Sequence, residues 1–177
     1  MKRFEIGLFI GRFQPFHKGH MYAIRFCLER CRNLVIGIGS SQESGTQINP
    51  ISSKDRIRIL RSGLSGAGID TGRIRFLEIP DFDDNEKWRN YIIHKEPGIG
   101  IVFSRNRLVG RIFKGHDIEV MLPPWHERRR LIATRIRGMI KKGWHWQALV
   151  PRGAVELISS HKSEIINARL SRHAKKG

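Results

Sequence analysis

Two histidines, His17 and His20, stand three residues apart with Gly19 between them, inside the run Gly11-Arg12-Phe13-Gln14-Pro15-Phe16-His17-Lys18-Gly19-His20. An apolar run over 6–10 precedes this segment and a helical pattern follows it, so the histidines sit where a strand hands over to a helix. A helix start presents unpaired backbone N–H groups and the positive end of the helix dipole, which suits a phosphate. Glycine lets the backbone approach a ligand closely, and each imidazole can donate from a ring nitrogen. The chemistry implied is a phosphate cradle built from histidines, with Arg12 alongside, in place of the Lys-Ser/Thr of a P-loop. The plain alternative is a strand-to-helix turn carrying surface histidines. A zinc-hydrolase reading fits less well, because such sites space their histidines four apart around a glutamate that is missing here. No metal ligand set is therefore assigned.

The rest of the chain has to position that turn. Short apolar runs at 4–10, 34–38, 73–79, 99–103 and 118–122 read as strands, the first two as strands buried on both faces. Helical spacing separates them: Met21, Ile24, Leu28 and Cys31 share one face. A second helix starts at Ser52 or Ser53, carries Ile57, Leu60 and Leu64 inward, and stops within 63–68. Asn85 is read as the cap of a helix carrying Trp88, Tyr91 and Ile92, and 108–113 as a short helix. Beyond 124 the pattern is purely helical, with one helix at 131–142 and another from Pro151 that includes Val155, Ile158, Ile165 and Ile166. Residues 169–177 are basic and are expected to fray. The fold class that follows is α/β: a Rossmann-like, doubly wound, parallel five-stranded sheet with a helical C-terminal segment. We expect one domain over 1–177, with 1–124 as the α/β core and 125–177 as the helical part. Ligands in such sheets bind at the carboxyl ends of strands near the switch point, which is where the histidine turn falls.

Thirty-three Lys and Arg stand against 16 Asp and Glu in 177 residues, a net charge of +17. That balance points to anionic partners, whether nucleotides, nucleic acid or acidic lipid, without choosing among them. No apolar run reaches membrane-spanning length and Met-Lys-Arg-Phe-Glu lacks the apolar stretch of a signal peptide, so the expected location is cytoplasmic, with no membrane partner. Cys27 and Cys31, the only cysteines, have neither redox nor zinc spacing and are read as core packing on a helix face with Ile24 and Leu28.

The run from Gly11 to His20 resembles the signature of the HxGH nucleotidyltransferases, most closely the archaeal-type nicotinamide mononucleotide (NMN) adenylyltransferases. The likeness continues through Ile36-Gly37-Ile38-Gly39-Ser40-Ser41-Gln42-Glu43-Ser44, Asn49-Pro50, Asp55-Arg56, Asp81 with Asn85 and Trp88, Ser104 with Asn106, and Thr134-Arg135-Ile136-Arg137. The resemblance implies that NMN and ATP are joined into NAD and pyrophosphate by in-line attack of the NMN phosphate on the ATP α-phosphorus, without a covalent enzyme intermediate. It implies catalytic roles for His17, His20, Arg12 and Arg137, the arginines on the β and γ phosphates. It implies an ATP site formed by Gly11, Arg12, Phe13, His17, Gly19, His20, Thr134 and Arg137, and an NMN site formed by Asp81, Trp88, Asn85, Ser40 and Asn106. Mg²⁺ is implied with ATP, held by substrate oxygens and water. A homo-oligomer, ring-like by the family's habit, is implied as well.

Some residues depart from the family pattern. Ile132-Ala133-Thr134 stands for Ser-Gly-Thr, Ser104-Arg105-Asn106-Arg107 for Ser-Gly-Asn-Pro, and Ile51-Ser52-Ser53-Lys54-Asp55-Arg56 for Phe-Thr-Ala-Gly-Glu-Arg. Three alternatives stay open on the residues alone. Trp88 can stack on a pyridinium or pack beside Tyr91 and Ile92. Arg105 and Arg107 can clamp a phosphate or simply face water. His126-Glu127-Arg128-Arg129-Arg130 can be a loop over a triphosphate or a polar helix start. Two rival functions remain: a sister HxGH adenylyl- or cytidylyltransferase with another phosphorylated acceptor, and an inactive homologue that binds nucleic acid, with Trp144 and Trp146 stacking on bases or else packing the final helices. Retention of both histidines with Arg12 and Arg137 argues against nucleic acid as the partner.

Overall fold

The computed structural model describes residues 4–124 and 126–169. Five strands alternate with helices in the expected order: β1 (Phe4–Gly11), α1 (Lys18–Leu28), β2 (Cys31–Gly39), α2 (Ser53–Ser65), β3 (Ile74–Ile79), α3 (Asn85–Lys95), β4 (Ile99–Phe103), α4 (Arg107–Phe113) and β5 (Glu119–Met121). Three helices follow, α5 (Ala133–Lys141), α6 (Val155–Ser160) and α7 (Lys162–Asn167). All strand pairs are parallel and the sheet order is β3-β2-β1-β4-β5. The chain runs outward from β1 to β3 and then crosses back to β4, so the order reverses between β1 and β4. The crevice beyond the carboxyl ends of those two strands is the switch point of a Rossmann-like α/β fold.

Period-two alternation along the central strands divides the core between the two faces. Phe9, Leu34, Ile36 and Phe103 pack with Ile24 and Cys27 of α1, Ile59, Leu60 and Leu64 of α2, and Ile136, Trp146, Ile158 and Ile165 of the last third. Leu8, Val35 and Val102 pack on the opposite face with Ile92 of α3 and Val109 and Phe113 of α4. Each fully buried aliphatic side chain contributes about 1.5–3 kcal/mol through the surface it removes from water. The helical C-terminal part therefore shares one core with α1 and α2.

Several boundaries differ from the sequence reading, each for a local reason. α1 ends at Leu28, so Cys31 opens β2 instead of continuing the helix; its thiol donates to the Cys27 carbonyl at 3.2 Å, and both cysteines are buried. Asp84, not Asn85, caps α3, its carboxylate accepting from Lys87 N–H at 2.8 Å. Of the two serines offered, Ser52 caps α2. α5 begins at Ala133, because Glu127 to Arg130 close a turn that feeds Leu131 into the core. The helix expected from Pro151 is a 3₁₀ turn followed by α6 and α7, broken at His161. Trp146 is buried, whereas Trp144 is 57% exposed under the Lys142 ammonium, so only one of the two indoles packs the final helices. Arg169 does not fray: it pairs as a parallel bridge with Thr46, donating to Gly45 O at 2.9 Å and accepting from Gln47 N–H at 2.8 Å. The rest of the basic tail, 170–177, lies outside the described residues.

Candidate active site

The turn leaving β1 is shaped by its aromatic residues. Phe13 adopts a left-handed backbone (φ 51°) and turns its ring inward, where it is 1% exposed and meets the His20 ring edge-on at 4.9 Å. Phe16 stacks on the other side of His20, at 6.2 Å and 12°. The Phe13 ring thus supports His20 from within the core, which leaves its backbone as the part nearest the cleft. Gly11 leaves room for that ring, since a Cβ there would meet it at 2.8 Å.

His17 is the N-cap of α1, and the two histidines cap one another. His20 N–H donates to His17 Nδ1 at 3.3 Å, and His17 N–H donates to His20 Nδ1 at 3.4 Å. A ring nitrogen that accepts is unprotonated, so in the neutral rings both protons are assigned to Nε2. The rings stack with centroids 3.6 Å apart. Burial pulls the His17 pKa down to about 4, and burial with the neighbouring His17 holds His20 well below the usual range. At neutral pH the pair is therefore two neutral N–H donors, not the two cations that a simple count of basic groups suggests.

These donors face a cleft of about 540 Å³. Arg12, Gly19 and the two histidines form one wall, Ser104 and Asn106 a second, and Ile132, Ala133 and Thr134 a third. The third wall is the N-terminus of α5, where no side chain caps the helix and no acid sits in the first turn. Two helix N-termini, α1 with its histidine cap and α5 without a side-chain cap, thus border one space with the positive ends of their dipoles. Arg137 lies one turn along α5, half-buried, and donates to the Gln14 carbonyl at 2.6 Å. Burial lowers the pKa of its guanidinium, and the positive charge of Arg12 adds to that.

The 126–130 segment is a turn and not a helix start. His126 and Arg128 line the cleft, His126 stacked on Tyr22 at 4.4 Å, while Arg130 pairs with Glu127 at 2.8 Å. Arg105 also lines the cleft and donates to Pro123 O at 2.7 Å; Arg107 is exposed on α4.

The residues expected around an acceptor divide into groups. Ser40, left-handed at φ 49°, donates from Oγ to Asp81 Oδ1 at 3.1 Å. Gln42 closes the group by donating to Asp81 Oδ2 at 3.0 Å and accepting from Asp81 N–H at 3.1 Å. Asn106 lines the main cleft and caps α4. Asn85 lies on a separate groove of about 620 Å³ between α3 and α4. Trp88 is half-buried with its ring edge-on to Phe113 at 6.1 Å, so part of the indole belongs to the core.

Two residues stand out that sequence reasoning did not assign a role. Gln14, 2% exposed, clasps Ile51 with both amide atoms, at 2.7 and 3.1 Å. Arg56 is wholly buried on α2 and donates to the carbonyls of Arg12 at 2.9 Å, Gly39 at 2.8 Å, Ser40 at 3.1 Å and Ser52 at 3.4 Å. Burial pulls its pKa down to about 10, with Glu78, Asp81 and Glu43 opposing, so it stays charged at neutral pH. A signal existed: Arg56 shares the inward face of α2 with Ile59, Leu60 and Gly63.

Residues 8–138 match the cytidylyltransferase-like family. The nicotinamide-nucleotide adenylyltransferase of Saccharolobus solfataricus is 40% identical over 158 residues, 89% of this chain and 92% of that protein. The enzyme of the same name from Thermococcus kodakarensis is 36% identical over 156 residues, covering 88% and 83%. The chain belongs to the nicotinamide-nucleotide adenylyltransferases. Solved structures agree on the fold of this adenylyltransferase family member. A bifunctional NMN adenylyltransferase/ADP ribose pyrophosphatase from Francisella tularensis, complexed with AMP and a manganese ion, superposes with a TM-score of 0.78 at 22% identity. It covers 92% of this chain, which spans about half (52%) of that longer one. The nicotinic acid mononucleotide adenylyltransferase of Plasmodium falciparum gives 0.64 at 11% identity, covering 93% and 99%. Among the described residues, no helix of this adenylyltransferase is long and apolar enough to cross a membrane.

Proposed function

We propose that this chain joins NMN to ATP, giving NAD and pyrophosphate, and so serves NAD biosynthesis. The observation that carries the reading is the reciprocal cap of His17 and His20, which commits both Nε2–H donors to a cleft that also receives the N-terminus of α5. The acceptor phosphate attacks the α-phosphorus, a new P–O bond forms, and the bond to the α–β bridging oxygen breaks. No protein nucleophile is required; positioning and charge stabilisation suffice. In this reading His17 and His20 donate to the α-phosphate as charge shifts onto it, while Arg12 and Arg137 hold the β and γ phosphates that leave. Each neutral imidazole keeps one N–H to donate, so the pair can hydrogen-bond a phosphate oxygen in that state. Gly11 and Phe13 would offer backbone at most, and Gly19 and Thr134 line the triphosphate space.

The acceptor falls to the Ser40–Asp81–Gln42 group with the open face of Trp88, Asn106 reaching it from the main cleft; Asn85, on a separate groove, is the weakest member of the set. Ser40 and Asp81 are joined by a hydrogen bond, which supports treating them as one subsite. Mg²⁺ would arrive bound to ATP and screen its oxygens. Its ligands would be substrate oxygens and water, with the Ser104, Asn106 and Thr134 side-chain oxygens of the cleft within the same space. The deciding experiment incubates purified protein with Mg-ATP and a panel of acceptors, namely NMN, nicotinic acid mononucleotide and phosphopantetheine. Dinucleotide and pyrophosphate are followed by chromatography. Pyrophosphate release only with phosphopantetheine, or with no acceptor, would overturn the assignment.

A further inference from the structure

Arg56 touches neither the cleft nor any group expected to react, yet among the described residues its side chain is hydrogen-bonded to both halves of the site. One guanidinium nitrogen, Nη1, donates to Arg12 O at 2.9 Å and Gly39 O at 2.8 Å; Nη2 donates to Ser40 O at 3.1 Å. Arg12 carries the triphosphate side, while Ser40 holds Asp81 through its Oγ on the acceptor side. The carbonyls come from the carboxyl ends of neighbouring strands, β1 and β2, and Ser40 is held there in a left-handed conformation. The helix that delivers Arg56 is anchored by its Ser52 cap, and Gln14 ties the entry to that helix, at Ile51, back to the β1 turn.

We infer that Arg56 is a positioning residue that couples the triphosphate turn to the acceptor loop, so that a ligand on either side orders the other. This rests on the reading of the two subsites given above. A planar fork is needed: a lysine ammonium is a compact point charge with three donors and no fixed spread, and cannot span three carbonyls on two turns in the same geometry. The coupling is distinct from mere support of the fold. A structural role alone reduces the folded fraction and leaves the affinity of each folded molecule unchanged.

The test measures dissociation constants for a non-hydrolysable ATP analogue and for NMN, by calorimetry, on the full chain. Arg56→Lys is compared with wild type and with Leu64→Ala, a destabilising change in a buried residue two turns along the same helix. Coupling predicts that Arg56→Lys weakens both ligands, each by roughly tenfold, while Leu64→Ala leaves both within about twofold. Weakening of one ligand alone, of neither, or an equal loss in Leu64→Ala overturns the inference. A second readout needs no variant: hydrogen exchange of wild type with one ligand at a time. The ATP analogue alone should slow exchange at 39–43, and NMN alone should slow it at 12–16. Protection confined to each ligand's own turn overturns the coupling. A wild type that binds both ligands but makes no dinucleotide would sink the proposed reaction and leave these readouts standing.

Discussion

Gly19 lies so close to the His17 ring that a Cβ there would meet ring atoms Cε1 and Nδ1 at 3.1 Å and the Leu131 Cβ at 3.3 Å. Alanine is otherwise favoured over glycine at a helical position by about 1 kcal/mol. Gly19→Ala should therefore change stability by less than about 1 kcal/mol while lowering turnover roughly tenfold, because the ring and not the helix must give way. Urea unfolding set beside steady-state rates separates the two effects; loss of stability without loss of rate would contradict it.

Burial makes the histidine pair sensitive to acid. The His17 pKa in the folded chain, about 4, lies below its ordinary value of 6.5. A lowered base favours the neutral form in the fold, so its stabilisation is complete above pH 6.5 and is lost as pH falls from there through about 4. Within that window stability should drop by about 1.4 kcal/mol per pH unit for one such group. His17→Gln should flatten this part of the profile. Urea midpoints at pH 7, 6 and 5 check the slope difference between the two proteins.

Arg12 and Arg137 repel one another, and among the described residues neither is paired with a carboxylate. Arg12 is exposed, so Arg12→Ala should alter the stability of the ligand-free protein by no more than about 0.5 kcal/mol. The same change should lower kcat/KM for ATP by about 10- to 100-fold, the range expected for a lost charge-assisted hydrogen bond. A loss that appears instead as instability would remove Arg12 from the triphosphate.

Trp88 has two roles to separate. Its edge packs on Phe113, so Trp88→Ala should cost about 2 kcal/mol of stability, less than a fully buried tryptophan. If its open face also holds the acceptor ring, KM for NMN should rise severalfold with little change in KM for ATP. Unchanged KM values would return the whole side chain to the core.

Local pattern carried most of the framework. The central strands are largely apolar because both faces of the sheet are covered there, and the histidine turn is legible because its residue types are informative by themselves. What escaped was set by partners distant in sequence or by competition over one or two residues. Cys31 keeps helical spacing with Cys27, yet it is pulled into β2 by pairing with Phe4. Asp84 outcompetes Asn85 because its carboxylate reaches the Lys87 N–H first. Arg56 belongs to the Asp55-Arg56 likeness but its role is not legible there, since its partners Arg12, Gly39 and Ser40 lie at the ends of two other strands. The inward turn of Phe13 needed the φ of 51° that no propensity would assign to phenylalanine.

Gln14 and Arg137 are bonded across 123 positions of the chain. During synthesis from the N-terminus, the histidine turn emerges early, while Arg137 and the α5 wall of the cleft follow more than a hundred residues later. A nascent chain halted before α5 would carry the sheet and the imidazoles but lack Ile136, Trp146, Ile158 and Ile165 of the shared core. The cleft is in this sense assembled late, its first wall made long before the helix that closes it.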